Sequence, residues 1–332
     1  MSVSVDRGEN DPAASAVDKG DERAEKLVVF TWNLNGSPGA LDLACKHLAT
    51  QGSFVAALQE LPADSDLRLT TALGESSLRL LSRSMLKFGG KTQIRTIDPT
   101  VVLLASDDVE VDPIGKSHEY RPELDSERRL EGLTIRSTNW QDLQILGVHA
   151  WDRRSRPKRK KRLQWAGIMR DVIHEFWSGG PLIVMGDLNA HPWSEEITER
   201  HGLYALRWKD WPEDGRGKLA NREQYATPLY NPMWEILPDG ATGGRGTIFY
   251  PNDRDQRWHC FDQIIVSNHL REHIGPPSVL TTLVDCNLVD EKGIPRKQRV
   301  NGKDKPELSD HLPVQLTIDL GKVTPCKISA KC

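Results

Sequence analysis

The sequence predicts an α/β fold, and three observations carry that reading. Short apolar runs rich in β-branched residues recur at Leu27–Trp32, Phe54–Leu58, Leu143–Ala150 and Leu182–Gly186, each too short for a helix of its own and suited to a buried strand. Stretches of helical period separate them. Each run also hands on to polar residues at its carboxyl end, which is how α/β proteins build sites.

Taken in order, Leu27–Trp32 is a strand followed by Asn33-Leu-Asn35-Gly36. Ser37-Pro38 reads as an N-cap with proline in the first turn. Leu41, Ala44, Cys45 and Leu48 then mark one face of a short helix ending near Gly52,. Phe54–Leu58 is the next strand and delivers Gln59-Glu60. Further strands are expected near Leu78–Ser84, Val101–Ala105, Leu130–Arg136 and Leu143–Ala150, the last placing His149 at a strand end. A helix starts near Pro157, with Leu163, Ala166, Met169, Ile173 and Phe176 on one face. Phe261–Val266 and Leu312–Leu320 complete the strands. Residues 195–248 read as loop-rich, with Trp208, Trp211, Tyr225, Tyr230 and Trp234 scattered among Pro and Gly. Asp290–Glu307 is polar, Lys-rich and without period, and reads as a mobile loop.

Composition bounds the function. The 332 residues carry a formal charge of −3. Seven of the 47 acidic and four of the 44 basic residues lie in Met1–Lys26, leaving 40 of each in the rest. That polar segment reads as a disordered acidic tail. Residues 27–322 then read as one domain and 323–332 as a C-terminal tail. Attraction to polyanions must come from how charge is placed, not from its total. Five cysteines lack CxxC spacing, and their odd number argues against a disulfide framework,. No apolar run could cross a bilayer and no leader-like segment opens the chain, so a soluble, cytoplasmic protein that binds no membrane is expected.

The centre of the sequence is Leu182–His191, Leu-Ile-Val-Met-Gly-Asp-Leu-Asn-Ala-His. On an extended backbone Asp187 and Asn189 point the same way. Side by side in a cleft, they could orient a nucleophilic water and hold the group it attacks; a plain strand-to-turn corner is the other reading. Asn33, Glu60, His149, Asp262, Asp310 and His311 also fall at strand ends. So many ionisable groups there exceed what packing requires. Acids without cysteine point to a hard cation such as Mg²⁺ (Mn²⁺ the alternative).

Thr31-Trp-Asn33-Leu-Asn-Gly, Leu58-Gln-Glu60, Gly147-Val-His149, Gly186-Asp-Leu-Asn189, Phe261-Asp262-Gln-Ile-Ile-Val-Ser and Ser309-Asp310-His311-Leu-Pro-Val together resemble the endonuclease/exonuclease/phosphatase superfamily, the deoxyribonuclease I-like group. The resemblance spans Leu27 to about Leu320. It implies a four-layer αββα sandwich, two mixed sheets packed face to face with helices outside. It also implies roles: Glu60 as principal metal ligand with Asn33 beside it and Asp310 close by, Asp187 to position or deprotonate water, and Asn189 to hold a phosphate oxygen. Asp262 would pair with His311, and His149 matches the histidine of the deoxyribonuclease and phosphatase branches. Where the abasic-site branch carries Tyr-x-Pro-Asn, this chain has His149-Ala-Trp-Asp152, which argues against abasic-site repair.

Positions 153, 154, 156 and 158–162 are basic. Arg153, Arg154, Arg156 and Lys158 are candidate contacts to nucleic-acid phosphates, with Trp151 and Trp193 to stack on bases; a solvated charged face is the alternative. Other classes lack their motifs. Gly90-Lys91-Thr92 is only the end of a phosphate loop, and neither a Gly-x-Ser-x-Gly elbow nor a His-Glu-x-x-His helix occurs,. The expectation is a Mg²⁺-dependent phosphodiesterase, foremost a nuclease acting on DNA or RNA. The alternatives are an enzyme for a small phosphorylated molecule or lipid headgroup, and a non-catalytic nucleic-acid-binding protein.

Overall fold

Lys26–Asn33 forms strand β1 and Phe54–Gln59 forms β2, with helix α1 between them over Pro38–Ala49. The computed structural model describes residues 26–65, 68–69, 71, 78–80, 101–106, 109–113, 130–136, 142–151, 159–176, 180–207, 228–236, 246–253, 257–300 and 303–323. The α1 start is the one its sequence signals: Ser37 Oγ accepts the backbone N–H of Ala40, and Pro38 stands in the first turn,. The helix carries the chain back, so β1 and β2 run parallel,.

The further strands are β3 (Leu78–Leu80), β4 (Val101–Ser106), β5 (Val111–Pro113), β6 (Leu130–Ile135), β7 (Leu143–His149), β8 (Leu182–Asp187), β9 (Ala205–Leu206) and β10 (Leu229–Tyr230). After them come β11 (Ile248–Phe249), β12 (Trp258–His259), β13 (Asp262–Ser267), β14 (Ser278–Val279), β15 (Thr282–Leu283), β16 (Cys286–Asn287), β17 (Lys297–Val300), β18 (Lys303–Pro306) and β19 (Val314–Asp319). Helix α2 spans Arg159–Phe176 and the one-turn α3 spans Glu195–Thr198.

Six strands form one sheet in the order β14-β19-β1-β2-β4-β3, and seven form another in the order β5-β6-β7-β8-β13-β10-β9. β1 therefore lies between β2 and the antiparallel β19, so the first strand pairs with the last. The sheets pack face to face through Val29, Val55, Ala57 and Leu103 on one side and Ile145, Ile183, Met185 and Ile264 on the other. Alternation along β1 sends Phe30 and Trp32 outward, where they meet Leu41, Ala44 and Leu48 of α1,. On the far side Ala166, Met169 and Ile173 of α2 cover Leu146, Val148 and Val184. Trp165 and Val172 join that buried face, whereas Leu163 is half-buried. Four layers result, as the resemblance implied. Burying each such large apolar side chain contributes about 1.5–3 kcal/mol.

One expectation is corrected. Asp290–Glu307 is not a structureless loop, because β17 and β18 pair within it as an antiparallel hairpin from Lys297↔Pro306 to Val300↔Lys303. The polar strands have no apolar alternation to betray them. The two-residue Asn301-Gly302 connection is itself a hairpin signal. Residues 195–248 also hold short elements, and β9 and β10 extend the larger sheet. The acidic tail up to Glu25, residues 81–84, the 324–332 tail, Trp208, Trp211 and Tyr225 lie outside the described residues. Among the described residues no helix is long and apolar enough to cross a membrane.

Candidate active site

Strand register lines up three titratable side chains across the larger sheet. β7 and β8 are parallel and pair His149 with Asp187, while β8 and the antiparallel β13 pair Asp187 with Asp262. Neighbours in register project from the same face. Asn33 closes β1 and Glu60 follows β2 in the smaller sheet, and His311 lies just before β19. Every predicted catalytic and metal position other than Asp310 contributes a side-chain contact to this one cluster.

Gly186 makes this approach feasible. Its φ is +143°, and a Cβ there would stand 1.9 Å from the Val148 carbonyl oxygen. Only glycine lets the two backbones run so close one residue before His149 and Asp187. Beyond Asp187 the backbone does not stay extended, which corrects the reason given for its partnership with Asn189. Asn189 has φ +47°, and its backbone N–H donates to Asp187 Oδ1 over 2.8 Å. Its amide Nδ2 donates to Asp187 Oδ2 over 3.2 Å and to the Ala150 carbonyl over 3.1 Å. The two meet through an Asx turn, not through strand alternation. Glu60 too is left-handed, at φ +48°, a conformation costing a non-glycine residue about 1 kcal/mol or more.

Asn33 ties the two sheets together. Its Nδ2 donates to Glu60 Oε1 over 3.1 Å and to Asp187 Oδ2 over 3.0 Å, and its Oδ1 accepts the Asn35 N–H. Two carboxylates that only accept fix which way this amide faces. His149 Nε2 lies 3.2 Å from Glu60 Oε1 and 3.9 Å from Asp187 Oδ2. His311 Nδ1 and Asp262 Oδ2 are 2.8 Å apart, and both side chains are buried.

The electrostatics follow from that packing. Burial alone would strip the proton from His311, but the adjoining Asp262 carboxylate, with Asp187 and Asp310, pushes its pKa up to about 10. His311 is therefore a cation at neutral pH. The hydrogen bond from His149 brings Glu60 down to about 2; burial opposes this, and Asn33 assists. Asp187 moves the other way. Burial raises its pKa and Asp262 adds repulsion, against the pull of His311 and His149. The site pairs a firmly anionic acid with one that holds a proton more readily, a division suited to metal binding and to base catalysis respectively.

Among the described residues Asp187, Asp262 and His311 form a group whose ligand atoms lie within 4.8 Å of one another and could hold a metal ion. A protonated imidazole has no lone pair to give, so His311 leaves that set while it stays cationic. Oxygen donors remain: Glu60, whose side chain is 41% exposed, Asp187, and Asp262 Oδ1, which is buried without a hydrogen-bond partner among the described residues. An all-oxygen set suits a hard divalent cation. Asp310 is half-buried and acts on His311 through its charge, outside the hydrogen bonds that link the cluster.

Of the predicted substrate contacts, Arg153, Arg154, Arg156 and Lys158 lie outside the described residues. Trp151 is half-buried and lines a pocket with Trp165, Asn189 and Glu196. Trp193 is exposed. Supporting residues escaped sequence reasoning. Ser309 Oγ donates to the Asn33 carbonyl over 2.7 Å and accepts the His311 N–H over 3.1 Å, joining two site residues far apart in the chain. Thr247 Oγ1 accepts the N–H groups of both Phe261 and Asp262 over 3.1 Å each, setting the start of β13. Ser309 opens the motif that carries His311 but had no role assigned, and nothing in the sequence marks Thr247.

Solved structures share the fold, three of them as follows. A humanized D. rerio TDP2 matches with TM-score 0.52 at 16% identity, covering 89% of this chain and 99% of that one. An endonuclease/exonuclease/phosphatase family protein from Bacteroides thetaiotaomicron matches with TM-score 0.53 at 16% identity, covering 88% and 97%. The 3′ phosphatase NExo from Neisseria, bound to a product DNA hairpin, matches with TM-score 0.51 at 19% identity, covering 88% and 99%. Identities this low establish the architecture alone. No curated protein matches the sequence. The sequence profile of the Endonuclease/Exonuclease/phosphatase family matches residues 30–311, the span that holds Asn33 and His311 at its two ends. The chain belongs to that family and is a phosphodiester-hydrolysing enzyme.

Proposed function

We propose that this protein is a Mg²⁺-dependent nuclease that cleaves DNA or RNA by water attack on the phosphodiester. One observation carries the reading: Asp187, a buried acid with a raised pKa, is hydrogen-bonded through Asn33 to the anionic Glu60 and sits in register beside Asp262, the partner of cationic His311. Asp187 takes the proton of a water aligned against phosphorus. Asn189 commits both amide hydrogens to Ala150 and Asp187, so its task is to orient that base, in place of the phosphate contact implied by resemblance. His311, held at Nδ1 by Asp262, offers its other N–H and its charge to the phosphoryl oxygens, where negative charge concentrates in the transition state. Glu60, with Asp310 nearby, would hold the cation, which when bound stabilises charge on the phosphoryl and leaving oxygens, and Asp187 is left to the water.

The basic run from Arg153 and the DNA-bound Neisseria neighbour support a nucleic-acid substrate over a small ester,. The test is an activity panel with purified protein and Mg²⁺ on plasmid, single-stranded DNA, structured RNA and simple phosphate esters. Cleavage of a nucleic acid, abolished by EDTA, is the expected outcome. Turnover of simple esters alone would establish the small-substrate reading instead.

A further inference from the structure

Trp193 is 39% exposed, unusual for so large an apolar side chain among the described residues. It is nevertheless fixed. The His191 ring stacks on it at 4.3 Å and 16° between planes. Ser194 closes the turn in both directions, its Oγ accepting the His191 N–H and its own N–H donating to the His191 carbonyl. His191 in turn meets the edge of Phe261 at 5.0 Å, and Phe261 directly precedes Asp262 of the catalytic row. Trp234 tilts against Trp193 at 6.2 Å, and the guanidinium of the exposed Arg207 lies 5.8 Å from the Trp234 ring. Folding alone would bury such a ring or leave it loose. A pre-stacked aromatic face flanked by a cation is the arrangement that receives a nucleobase and its phosphate.

We propose that Trp193, backed by His191 and flanked by Trp234 and Arg207, is a stacking platform for an unpaired nucleobase of the strand being cut. A base within a duplex has both faces covered by its neighbours, so the occupant is a single-stranded segment, a loop or a frayed end. The proposal rests on the nuclease reading and names its substrate class.

Binding of fluorescently labelled single-stranded oligonucleotides, followed by anisotropy in EDTA so that no strand is cut, tests it. A second oligonucleotide of the same length carries abasic sugars throughout. Wild-type protein should prefer the base-bearing strand. Trp193→Ala should weaken binding of that strand by about 5- to 150-fold and lose the preference, while Trp193→Phe should keep most of it. Arg207→Gln should flatten the log–log salt dependence by about 0.7. Equal binding of both strands by wild type, or unchanged binding by Trp193→Ala, would overturn the platform. A protein that discriminates the two strands yet cuts no nucleic acid would refute the nuclease reading and leave the platform standing.

Discussion

Asn33 Nδ2, at the end of a strand in one sheet, donates to Asp187 Oδ2, at the end of a strand in the other, over 3.0 Å. The same nitrogen reaches Glu60 Oε1 at 3.1 Å. One amide thus sets the spacing between the acid assigned to the metal and the acid assigned to the water. Asn33→Ala should lower kcat more than it raises KM, since the substrate's own contacts remain. It should also cost about 1.5–3 kcal/mol of stability through the lost hydrogen bonds to charged acceptors. Unchanged kcat in this variant would remove Asn33 from the machinery.

Glu60→Gln keeps the shape of the side chain and removes its charge. Activity should collapse, with partial recovery at raised Mg²⁺, because a neutral ligand weakens the site without abolishing it. A titration of rate against metal concentration reads this directly. Wild-type activity that persists in EDTA would end the metal assignment.

Asp262→Asn should leave the fold intact and lower turnover steeply, and His311→Ala should cost about as much. Their 2.8 Å contact makes the pair one functional unit, so the double variant should lose little beyond either single one. Steady-state kinetics on the four proteins give the coupling directly. Additive losses would show that the two act separately.

Much of this site was legible because its residues stand at the ends of apolar runs. The runs at Phe54, Leu143 and Leu182 reveal strands, and the polar residues at their carboxyl ends are Glu60, His149 and Asp187. Less legible was whatever depends on backbone geometry after the strand stops. The left-handed turn at Asn189 reproduces the outcome expected from an extended chain by other means. The β17–β18 hairpin was hidden because its strands, Lys-Gln-Arg-Val and Lys-Asp-Lys-Pro, carry no apolar alternation. Thr247 lies in a loop and works through one hydroxyl, which no spacing rule can single out.

The Asp262–His311 pair should also be visible in stability. An unfolded histidine titrates near ~6.5, whereas His311 in the fold holds its proton up to about 10. Its contribution is complete below the lower value and is lost as pH rises towards the higher one. The gap in Tm between wild type and His311→Gln should therefore narrow steadily between pH 7 and pH 9.5, as thermal melts across that range would record. A gap that widens with pH would contradict a cationic His311.

Neutralising Arg153, Arg154, Arg156 and Lys158 to Gln tests whether the basic run touches phosphates beyond the reacting one. Polymer binding should weaken, and its log–log salt slope should flatten by about 0.7–0.9 per lost contact. Cleavage that keeps both its rate and its salt dependence would make the run a solvated face.

The pairing of β1 with β19 bears on how the enzyme comes into being. Asn33 leaves the ribosome early, whereas His311 and the strand that seats it are among the last residues of the domain to be made. The first strand must wait for the last, a contact of very long sequence separation and so a slow one to form. A growing chain therefore cannot bring Asn33 and His311 together until synthesis of the domain is all but complete.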